Sequence, residues 1–144
     1  MCPPAPVPEK CKVLFICIGN SCRSQIAEAL ARHLYPNLID AESAGTAPLG
    51  TVARETLAVL QERGVRAEGL YSKGIADVAE FFDPDIVVNI SGHSINGYFP
   101  HTRTLEWEIR DPFGSDPQLY REITGQLEQL LNDLAEELRR GAMP

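Results

Sequence analysis

The sequence lacks any apolar run that approaches the roughly 20 residues needed to span a bilayer. The apolar stretch at residues 13–18 is too short for the hydrophobic region of a signal peptide, and no small-residue cleavage site follows it. The sequence therefore predicts no membrane partner and a cytoplasmic location.

Positive charge is also scarce, because 13 lysine and arginine residues stand against 20 aspartate and glutamate residues, for a net charge of -7. Such a chain has no general attraction for nucleic acid or for an anionic membrane surface. A local site can still bind an anion, since backbone dipoles and near contacts dominate inside a pocket. We therefore expect no nucleic-acid partner, while an anionic ligand stays open.

Cysteine is absent after residue 22, and the four cysteines lie at positions 2, 11, 17 and 22. This grouping does not suggest a disulfide framework; it indicates reactive or incidental thiols in a reducing compartment. No Cys-x-x-Cys pair is present, and the predicted first strand separates Cys11 from Cys17 by about 20 Å, at roughly 3.3 Å per residue. We therefore predict no zinc site, no other metal and no cofactor.

A proline-rich segment at residues 1–9 predicts a flexible tail, and residues 10–144 predict a single domain. Apolar runs predict strands at residues 13–18, 38–44, 85–90 and 103–109. Helical spacing predicts helices at about residues 26–34, 52–64, 72–82 and 116–140. This alternation predicts a three-layer α/β fold, in which helices cover both faces of a parallel sheet.

In such a sheet, ligands bind beyond the carboxyl ends of the strands. The loop that starts at Cys17 leaves the carboxyl end of the predicted first strand, and Asp111 with Pro112 follows the fourth. We expect these two segments, which are far apart in the sequence, to open on the same edge of the sheet.

The loop between the first strand and the first helix has the composition of an anion site. Its backbone N–H groups and the helix amino terminus would surround a tetrahedral oxyanion such as phosphate, arsenate or sulfate. The oxyanion-binding residues are predicted to be Ile18, Gly19, Asn20, Ser21, Cys22, Arg23 and Ser24. Arg23 would supply a two-pronged hydrogen-bonding group to the anion, and Cys17 would stand in line to attack it.

Two other residues of this loop have predicted roles, and the simpler interpretation of Cys17 stays open. Ser24 could donate a hydrogen bond to the Cys17 sulfur, and Asn20 tolerates a left-handed backbone that closes the loop. Cys17 could instead be an ordinary buried core cysteine. A nucleotide-binding P-loop is disfavoured, because no Gly-Lys-Ser/Thr follows.

Three blocks of the sequence resemble those of a known family. Residues 13–24, followed by Ala-Glu-Ala at 27–29, look like the low-molecular-weight protein tyrosine phosphatases and their relatives, the thioredoxin-coupled arsenate reductases. Residues 43–46 (Ser-Ala-Gly-Thr) and 111–114 (Asp-Pro-Phe-Gly) match two further blocks in the expected order. The resemblance covers about residues 11–139.

The resemblance implies a flavodoxin-like phosphatase fold with a four-stranded parallel sheet. It also implies that Cys17 is the nucleophile, Arg23 holds the oxyanion and Asp111 is the general acid. That last role makes chemical sense, because a phenolate leaving group with a conjugate-acid pKa near 10 departs more easily when it receives a proton. The same carboxylate could then activate water. Asp111 with Pro112 could also be no more than a turn.

The family contains two chemistries that share this loop. The thioredoxin-coupled reductases need two further cysteines after the third strand, and residues 89–98 contain none. Hydrolysis of a phosphomonoester, through a phosphocysteine on Cys17, is therefore the main prediction, with a phosphorylated protein or a small phosphomonoester as substrate. Arsenate reduction with an external thiol as reductant stays open, since Gln25 stands where phosphatases usually have proline.

Substrate preference is weakly marked in the sequence. Phe113 is a lone aromatic residue after Asp-Pro, where many tyrosine phosphatases of this type have two, so dephosphorylation of arginine also stays open. The histidine that braces the loop in some relatives is replaced near Tyr71. By the same resemblance, Cys22 could form a protective disulfide with Cys17. A noncatalytic redox or oxyanion sensor based on that pair is the alternative from a different class of protein.

Overall fold

The computed structural model describes residues 10–95 and 97–141, which form four strands and four helices. The strands are β1 (Cys11–Cys17), β2 (Ile39–Gly45), β3 (Ile86–Asn89) and β4 (Arg103–Glu106). The helices are α1 (Arg23–Leu34), α2 (Arg54–Glu62), α3 (Ile75–Ala79) and α4 (Pro117–Arg139). The proline-rich tail predicted for residues 1–9 lies outside the described residues.

All four strands are parallel, in the order β2-β1-β3-β4. The central strand β1 pairs Cys17 with Gly45 of β2 and Ile16 with Asn89 of β3, so the three carboxyl ends lie side by side. The four-stranded parallel sheet predicted from the sequence is therefore confirmed. The loops that follow these strands open on one edge of the molecule.

Two apolar cores lie on opposite faces of the sheet, as the period of two in a strand requires. Val13 and Phe15 of β1 point to a large core that also contains residues of α1, α2 and α4. Leu14 and Ile16 point to a smaller core that contains residues of α3. The predicted arrangement, with helices on both faces, is therefore confirmed, and the two layers of helices are unequal in size.

The long helix α4 begins as the sequence predicts. The Asp116 carboxylate accepts a hydrogen bond from the backbone N–H of Leu119 at 3.1 Å, and Pro117 occupies the first turn. Helix α1 begins differently, because Cys22 at its amino-terminal cap makes no side-chain hydrogen bond to the first turn. The amino terminus of α1 therefore keeps unpaired N–H groups.

Two predicted elements are shorter than expected by three residues at one end or at both. Strand β4 ends at Glu106 instead of residue 109, because the Ile109 carbonyl turns away from the sheet to accept a hydrogen bond from Arg23 at 2.9 Å. Helix α3 covers Ile75–Ala79 instead of residues 72–82, because Gly74 has an extended backbone that forms a bridge with Gly45. Among the described residues, no helix is long and apolar enough to cross a membrane.

Candidate functional site

Cys17 is the last residue of β1 and lies at the base of a pocket on the predicted edge of the sheet. The pocket has a volume of about 290 Å³. It is lined by Cys17, Ile18, Gly19, Ser21, Cys22, Arg23, Ala47, Leu49, Asp111 and Phe113. The cysteine loop, which we define as residues 17–24, forms its floor, and the Asp111 loop, which we define as residues 107–116, forms one wall. The two segments therefore meet, as the rule for parallel sheets predicts.

The carbonyl groups of the cysteine loop all turn outward to donors of the surrounding protein. Backbone N–H groups at residues 46, 47, 49, 53 and 26 donate to the carbonyls of Cys17, Ile18, Gly19, Ser21 and Cys22 at 2.9–3.1 Å. The Asn20 carbonyl accepts a hydrogen bond from Gln25 Nε2 at 3.0 Å. In a planar trans peptide the C=O and the following N–H point in opposite directions. Outward carbonyls at residues 17–22 thus turn the N–H groups of residues 18–23 inward.

This inward ring of N–H groups finds no acceptor in the part of the protein that the structure describes. Within the described residues, no backbone N–H of residues 18–22 donates to a carbonyl or a side chain. The left-handed backbone of Asn20, with φ of 48°, helps to close the ring, as the sequence suggests. Successive inward N–H groups at a helix amino terminus form an anion-binding concavity.

The Ser21 hydroxyl is a second unpaired polar group on the pocket wall. Ser21 is buried, and its Oγ has no hydrogen-bond partner among the described residues. A buried hydroxyl without a partner is costly in a folded protein unless a ligand or water pairs with it. The pocket therefore has donors on both backbone and side chain that an oxyanion would satisfy.

Arg23 is the first residue of α1 and its guanidinium connects three segments. Its NH1 group donates to the carbonyls of Ile90 at 2.8 Å and Ile109 at 2.9 Å. Its NH2 group lies 3.9 Å from Asp111 Oδ2. The side chain is only 6% exposed, so a permanent positive charge is held in a fixed place on the pocket wall.

Asp111 lies opposite the cysteine on a more accessible segment. Its side chain is 53% exposed, and its Oδ1 accepts a hydrogen bond from the Phe113 backbone N–H at 3.0 Å. The other oxygen, Oδ2, is the one that faces Arg23. This arrangement leaves a carboxylate at the pocket mouth, within reach of a group attached to a bound oxyanion.

The Cys17 sulfur has a close polar neighbour in Ser24. Its Sγ lies 2.8 Å from Ser24 Oγ, as the sequence suggests, and Ser24 Oγ also accepts a hydrogen bond from Asn20 Nδ2 at 2.8 Å. All three side chains are buried. The hydroxyl is thus held from both sides, in a position to stabilise a thiolate.

A glycine at the end of β2 allows the cysteine loop its shape. A Cβ atom placed on Gly45 would lie 2.5 Å from the Ile18 carbonyl oxygen and 3.0 Å from the Asn20 backbone nitrogen. Both neighbours are backbone atoms that cannot move aside cheaply. Gly45, within the Ser-Ala-Gly-Thr block, therefore has a steric role in the site that the resemblance alone does not explain.

The thiol predicted as a redox partner, Cys22, is free in this structure and faces a helix. Its Sγ lies 3.2 Å from the Tyr120 hydroxyl of α4, and both residues are buried. Burial raises the pKa of the Cys22 thiol above its ordinary value, and burial also raises the pKa of Tyr120. Cys22 therefore stays protonated at neutral pH.

Sequence reasoning missed a buried ion pair near the site. Lys73, which follows β2 and α2 in the chain, is 3% exposed, and its ammonium lies 3.2 Å from Glu28 Oε1 of α1. Lysine and glutamate are rarely buried, so neither residue stands out in a single sequence. The one available signal is the replaced histidine near Tyr71, since Lys73 comes two residues later and its ammonium lies 4.6 Å from the Tyr71 ring centroid.

A parallel α/β sheet with an arginine-bearing, cysteine-based anion loop at its edge defines a class of small oxyanion-binding proteins. Comparison with known proteins gives the family. The family model for low molecular weight phosphotyrosine protein phosphatase matches residues 12–143. The chain belongs to this family, as its motifs predict.

Relatives within the family carry out different reactions. A glutaredoxin arsenate reductase of Synechocystis sp. is 32% identical over 127 residues, 85% of this chain and 95% of the relative. A protein-arginine-phosphatase of Geobacillus stearothermophilus is also 32% identical, over 143 residues, 89% of this chain and 96% of the relative. A solved arsenate reductase in the phosphate binding state superposes with a TM-score of 0.80 at 28% identity and covers 88% of this chain and 98% of the other.

Proposed function

We propose that the chain is a phosphomonoester hydrolase, with the chemistry of a protein tyrosine phosphatase, that works through a phosphocysteine on Cys17. The observation that carries the proposal is the ring of inward N–H groups at residues 18–23, with Cys17 at its base and Asp111 at its mouth. A phosphoryl group in this ring would have its nonbridging oxygens bound by the backbone and by Arg23. Its ester oxygen would then face the solvent side, where Asp111 lies.

The first chemical step is transfer of the phosphoryl group to sulfur. The Cys17 thiolate attacks phosphorus, the bond between phosphorus and the ester oxygen breaks, and Asp111 donates its proton to the leaving oxygen. Arg23 and the N–H groups stabilise the charge on the equatorial oxygens in the transition state. The product is a neutral alcohol and a phosphocysteine.

The second step returns the enzyme to its starting state. Asp111, now ionised, accepts a proton from a water molecule as that water attacks phosphorus. The bond between phosphorus and sulfur breaks, inorganic phosphate forms and Cys17 leaves as a thiolate, stabilised by the hydrogen bond from Ser24. A reducing compartment such as the cytoplasm suits this cycle, since the cysteine must stay reduced.

Hydrolysis of p-nitrophenyl phosphate by three proteins tests the proposal. We expect turnover by the wild type, none by Cys17→Ser, and a loss of about 10²-fold or more for Asp111→Asn, as is usual for a general acid. The Asp111→Asn variant should regain much of its rate on substrates with better leaving groups, because such a group departs without receiving a proton. An inactive wild type, or an Asp111→Asn variant with full activity on p-nitrophenyl phosphate, would overturn the proposal.

Arsenate reduction with an external thiol is a second candidate. Gln25 favours it, because its Nε2 binds Asn20 and the Tyr71 carbonyl in a position where phosphatases usually have proline. Relatives named as arsenate reductases, including the glutaredoxin type, agree with it. Among the described residues, no cysteine follows Cys22, so the thiol must come from outside the chain.

The electrons of this alternative reaction come from two thiols. Cys17 attacks arsenic and a hydroxide leaves as water. A first external thiol then attacks the Cys17 sulfur, the electron pair of the sulfur–arsenic bond goes to arsenic, and arsenite leaves. A second thiol reduces the mixed disulfide and frees Cys17. Arsenate-dependent oxidation of glutathione or glutaredoxin, without phosphatase turnover, would establish this reaction in place of hydrolysis.

Two further alternatives have direct assays. Release of phosphate from phosphoarginine at a higher kcat/KM than from phosphotyrosine would assign the chain to the arginine branch, to which one relative belongs by name. A sensor based on a Cys17–Cys22 disulfide would have no turnover with any of these substrates. Asp111 argues against the sensor, since an anion sensor gains nothing from a carboxylate at the mouth of the anion pocket.

A further inference from the structure

A chain of buried polar side chains connects Cys17 to an ion pair on the far side of the cysteine loop. The members, in order, are Cys17, Ser24, Asn20, Ser43, Glu28 and Lys73. Each is buried, and each successive pair is within hydrogen-bond distance. The mechanism proposed above uses only the first two members, which leaves the ion pair at the other end without a role.

At the ion pair, the donor and the acceptor of each hydrogen bond are fixed by chemistry. The Ser43 hydroxyl donates to Glu28 Oε1 at 2.6 Å, because a carboxylate can only accept. The Lys73 ammonium lies 3.2 Å from the same Glu28 oxygen and 3.4 Å from Ser43 Oγ, and it can only donate. Ser43 therefore donates its one hydroxyl proton to Glu28, and its oxygen lone pairs accept hydrogen bonds from other residues.

The orientation of the Asn20 amide is fixed by two donors, one of which is the backbone of Lys73. Its Oδ1 accepts hydrogen bonds from Gln25 Nε2 at 2.9 Å and from the Lys73 backbone N–H at 2.8 Å. Two donors on one side of the amide identify that atom as oxygen. The Nδ2 group then donates one hydrogen to Ser43 Oγ at 3.0 Å and the other to Ser24 Oγ at 2.8 Å.

Among the described residues, one acceptor is available for the hydroxyl proton of Ser24. Its oxygen already accepts from Asn20, and the next polar atom is the Cys17 sulfur at 2.8 Å. Geometry at that contact alone allows either atom to donate. The rest of the chain makes Ser24 the donor, and a hydrogen bond donated to sulfur favours the thiolate over the thiol.

We propose that Lys73, paired with Glu28, is a positioning residue for Cys17. The buried ion pair anchors the Lys73 backbone, whose N–H holds Asn20 Oδ1, and the Asn20 amide then directs the Ser24 hydroxyl to the sulfur. Lys73 is not among the residues that line the pocket. It is fixed in place by the Tyr71 carbonyl at 3.3 Å and by Glu42 Oε1 at 3.7 Å, in addition to Glu28. Its ammonium shares the Glu28 and Glu42 carboxylates with the Arg32 guanidinium, so two cations and two carboxylates meet in this cluster.

This inference rests on the proposed role of Cys17, but its test does not need turnover. The readout is the rate of alkylation of Cys17 by iodoacetamide as a function of pH, since only the thiolate reacts. The other charged or titratable groups that line the pocket are Arg23, Asp111 and Cys22, and all variants keep them unchanged. A phosphatase assay run in parallel shows whether the proposed function fails independently.

Lys73→Met removes the charge and keeps most of the side-chain volume. We expect its alkylation curve to move to higher pH by about one unit, which is about a tenfold slower reaction on the acidic limb. Arg32→Gln is the matched control. Arg32 binds the other oxygen of Glu28 at 2.8 Å, but it is not a member of the hydrogen-bond chain and is 40% exposed. The alkylation curve of Arg32→Gln should therefore superpose on that of the wild type.

Two double variants separate the positioning role of Lys73 from its effect on folding. Lys73→Met with Glu28→Gln removes both buried charges, so thermal stability should recover. Alkylation should stay slow, because the ion pair that anchors the Lys73 backbone N–H against Asn20 is still missing. In a Ser24→Ala background, Lys73→Met should have no further effect on alkylation, since the last link of the chain is already gone.

The outcomes decide the proposal in both directions. A wild-type curve for folded Lys73→Met would overturn it. Recovery of both stability and alkylation in the double variant with Glu28→Gln would also overturn it, because Lys73 would then only neutralise a buried charge. Equal effects of Lys73→Met with and without Ser24 would do the same. If Lys73→Met does not fold, the charge-free double variant, measured against the wild type, still gives the answer.

Discussion

The cysteine loop and the Asp111 loop face each other across one pocket, but the protein holds them in very different ways. In the cysteine loop, six successive carbonyls are paired with donors elsewhere in the chain, and Asn20 and Ser24 are fully buried. In the Asp111 loop, the side chains of Asp111 and Phe113 are 53% and 59% exposed. After Ile109, whose carbonyl accepts from Arg23, the hydrogen bonds of this loop are short-range, such as that from the Ser115 N–H to the Pro112 carbonyl at 2.8 Å.

This difference follows the demands of the proposed chemistry. A ring of N–H dipoles stabilises a transition state only if it is already in place before the substrate arrives, because reorganisation would cost the free energy that the dipoles supply. A proton donor has a simpler task, since it needs only to reach the leaving oxygen. The rigid side of the pocket thus holds the phosphoryl group, and the lightly held side is free to adjust to different leaving groups.

Alanine substitution of one glycine beside each loop tests most strongly whether the cysteine loop is held more rigidly than the Asp111 loop. Gly45→Ala places a Cβ 2.5 Å from the Ile18 carbonyl oxygen and should distort the cysteine loop. We expect turnover of p-nitrophenyl phosphate to fall about 10²-fold, as misplacement of reacting groups by about 1 Å does elsewhere. Gly114→Ala is the counterpart in the Asp111 loop, where an added Cβ meets nothing within 4 Å.

The two glycine variants should therefore separate stability from activity. Gly114 has a φ of 78°, so alanine there costs about 1–2 kcal/mol of stability through backbone strain. Its activity should stay close to that of the wild type at a temperature where both are folded. Similar losses of kcat in the two variants would mean that the Asp111 loop is as tightly constrained as the cysteine loop, and the contrast would be wrong.

The rates at which the cysteine thiols react give a second test of the cysteine loop. Burial raises the pKa of Cys22, and burial together with Asp85 raises the pKa of Cys11 to about 11, so both are protonated at pH 7. Cys17, at the base of the ring of inward N–H groups, should react with iodoacetamide at least about tenfold faster than either. Mass spectrometry after brief labelling measures the three rates.

Added phosphate provides the control for this labelling experiment. It should protect Cys17 by filling the ring of N–H groups and should leave the slow reactions of Cys22 and Cys11 unchanged. Labelling of Cys22 at a rate comparable to Cys17 would contradict the assignment. That result would favour the alternative in which a Cys17–Cys22 pair acts as a redox sensor.

The same contrast explains what could be predicted from the sequence. The cysteine loop depends on local order, namely a buried strand, a short loop and a helix, so its members from Cys17 to Ser24 are visible in one segment of sequence. Its meeting with Asp111 followed from the rule that carboxyl ends of parallel strands share an edge. The functional roles of these residues stay predictions until the variants are measured.

Features that depend on long-range contacts were not predictable. Strand β4 is three residues shorter than predicted at its carboxyl end, because Arg23 donates a hydrogen bond to the Ile109 carbonyl. Arg23 lies 86 residues earlier in the sequence. Lys73 and Glu28 are buried only because α1 and the segment before α3 meet beside Ser43. Charge and periodicity give no sign of such contacts in a single sequence.

The weakest effect that we predict is on the anchor of the Asp111 loop. Asp116→Ala removes the hydrogen bond to the Leu119 N–H and should cost about 1 kcal/mol of stability, which is usual for a lost helix cap. Asp116→Ser keeps a capping oxygen and should recover most of that loss in thermal unfolding. Because the anchor is local, Cys17 alkylation should be unchanged in both variants; a slower reaction in Asp116→Ala would show that the two loops are coupled after all.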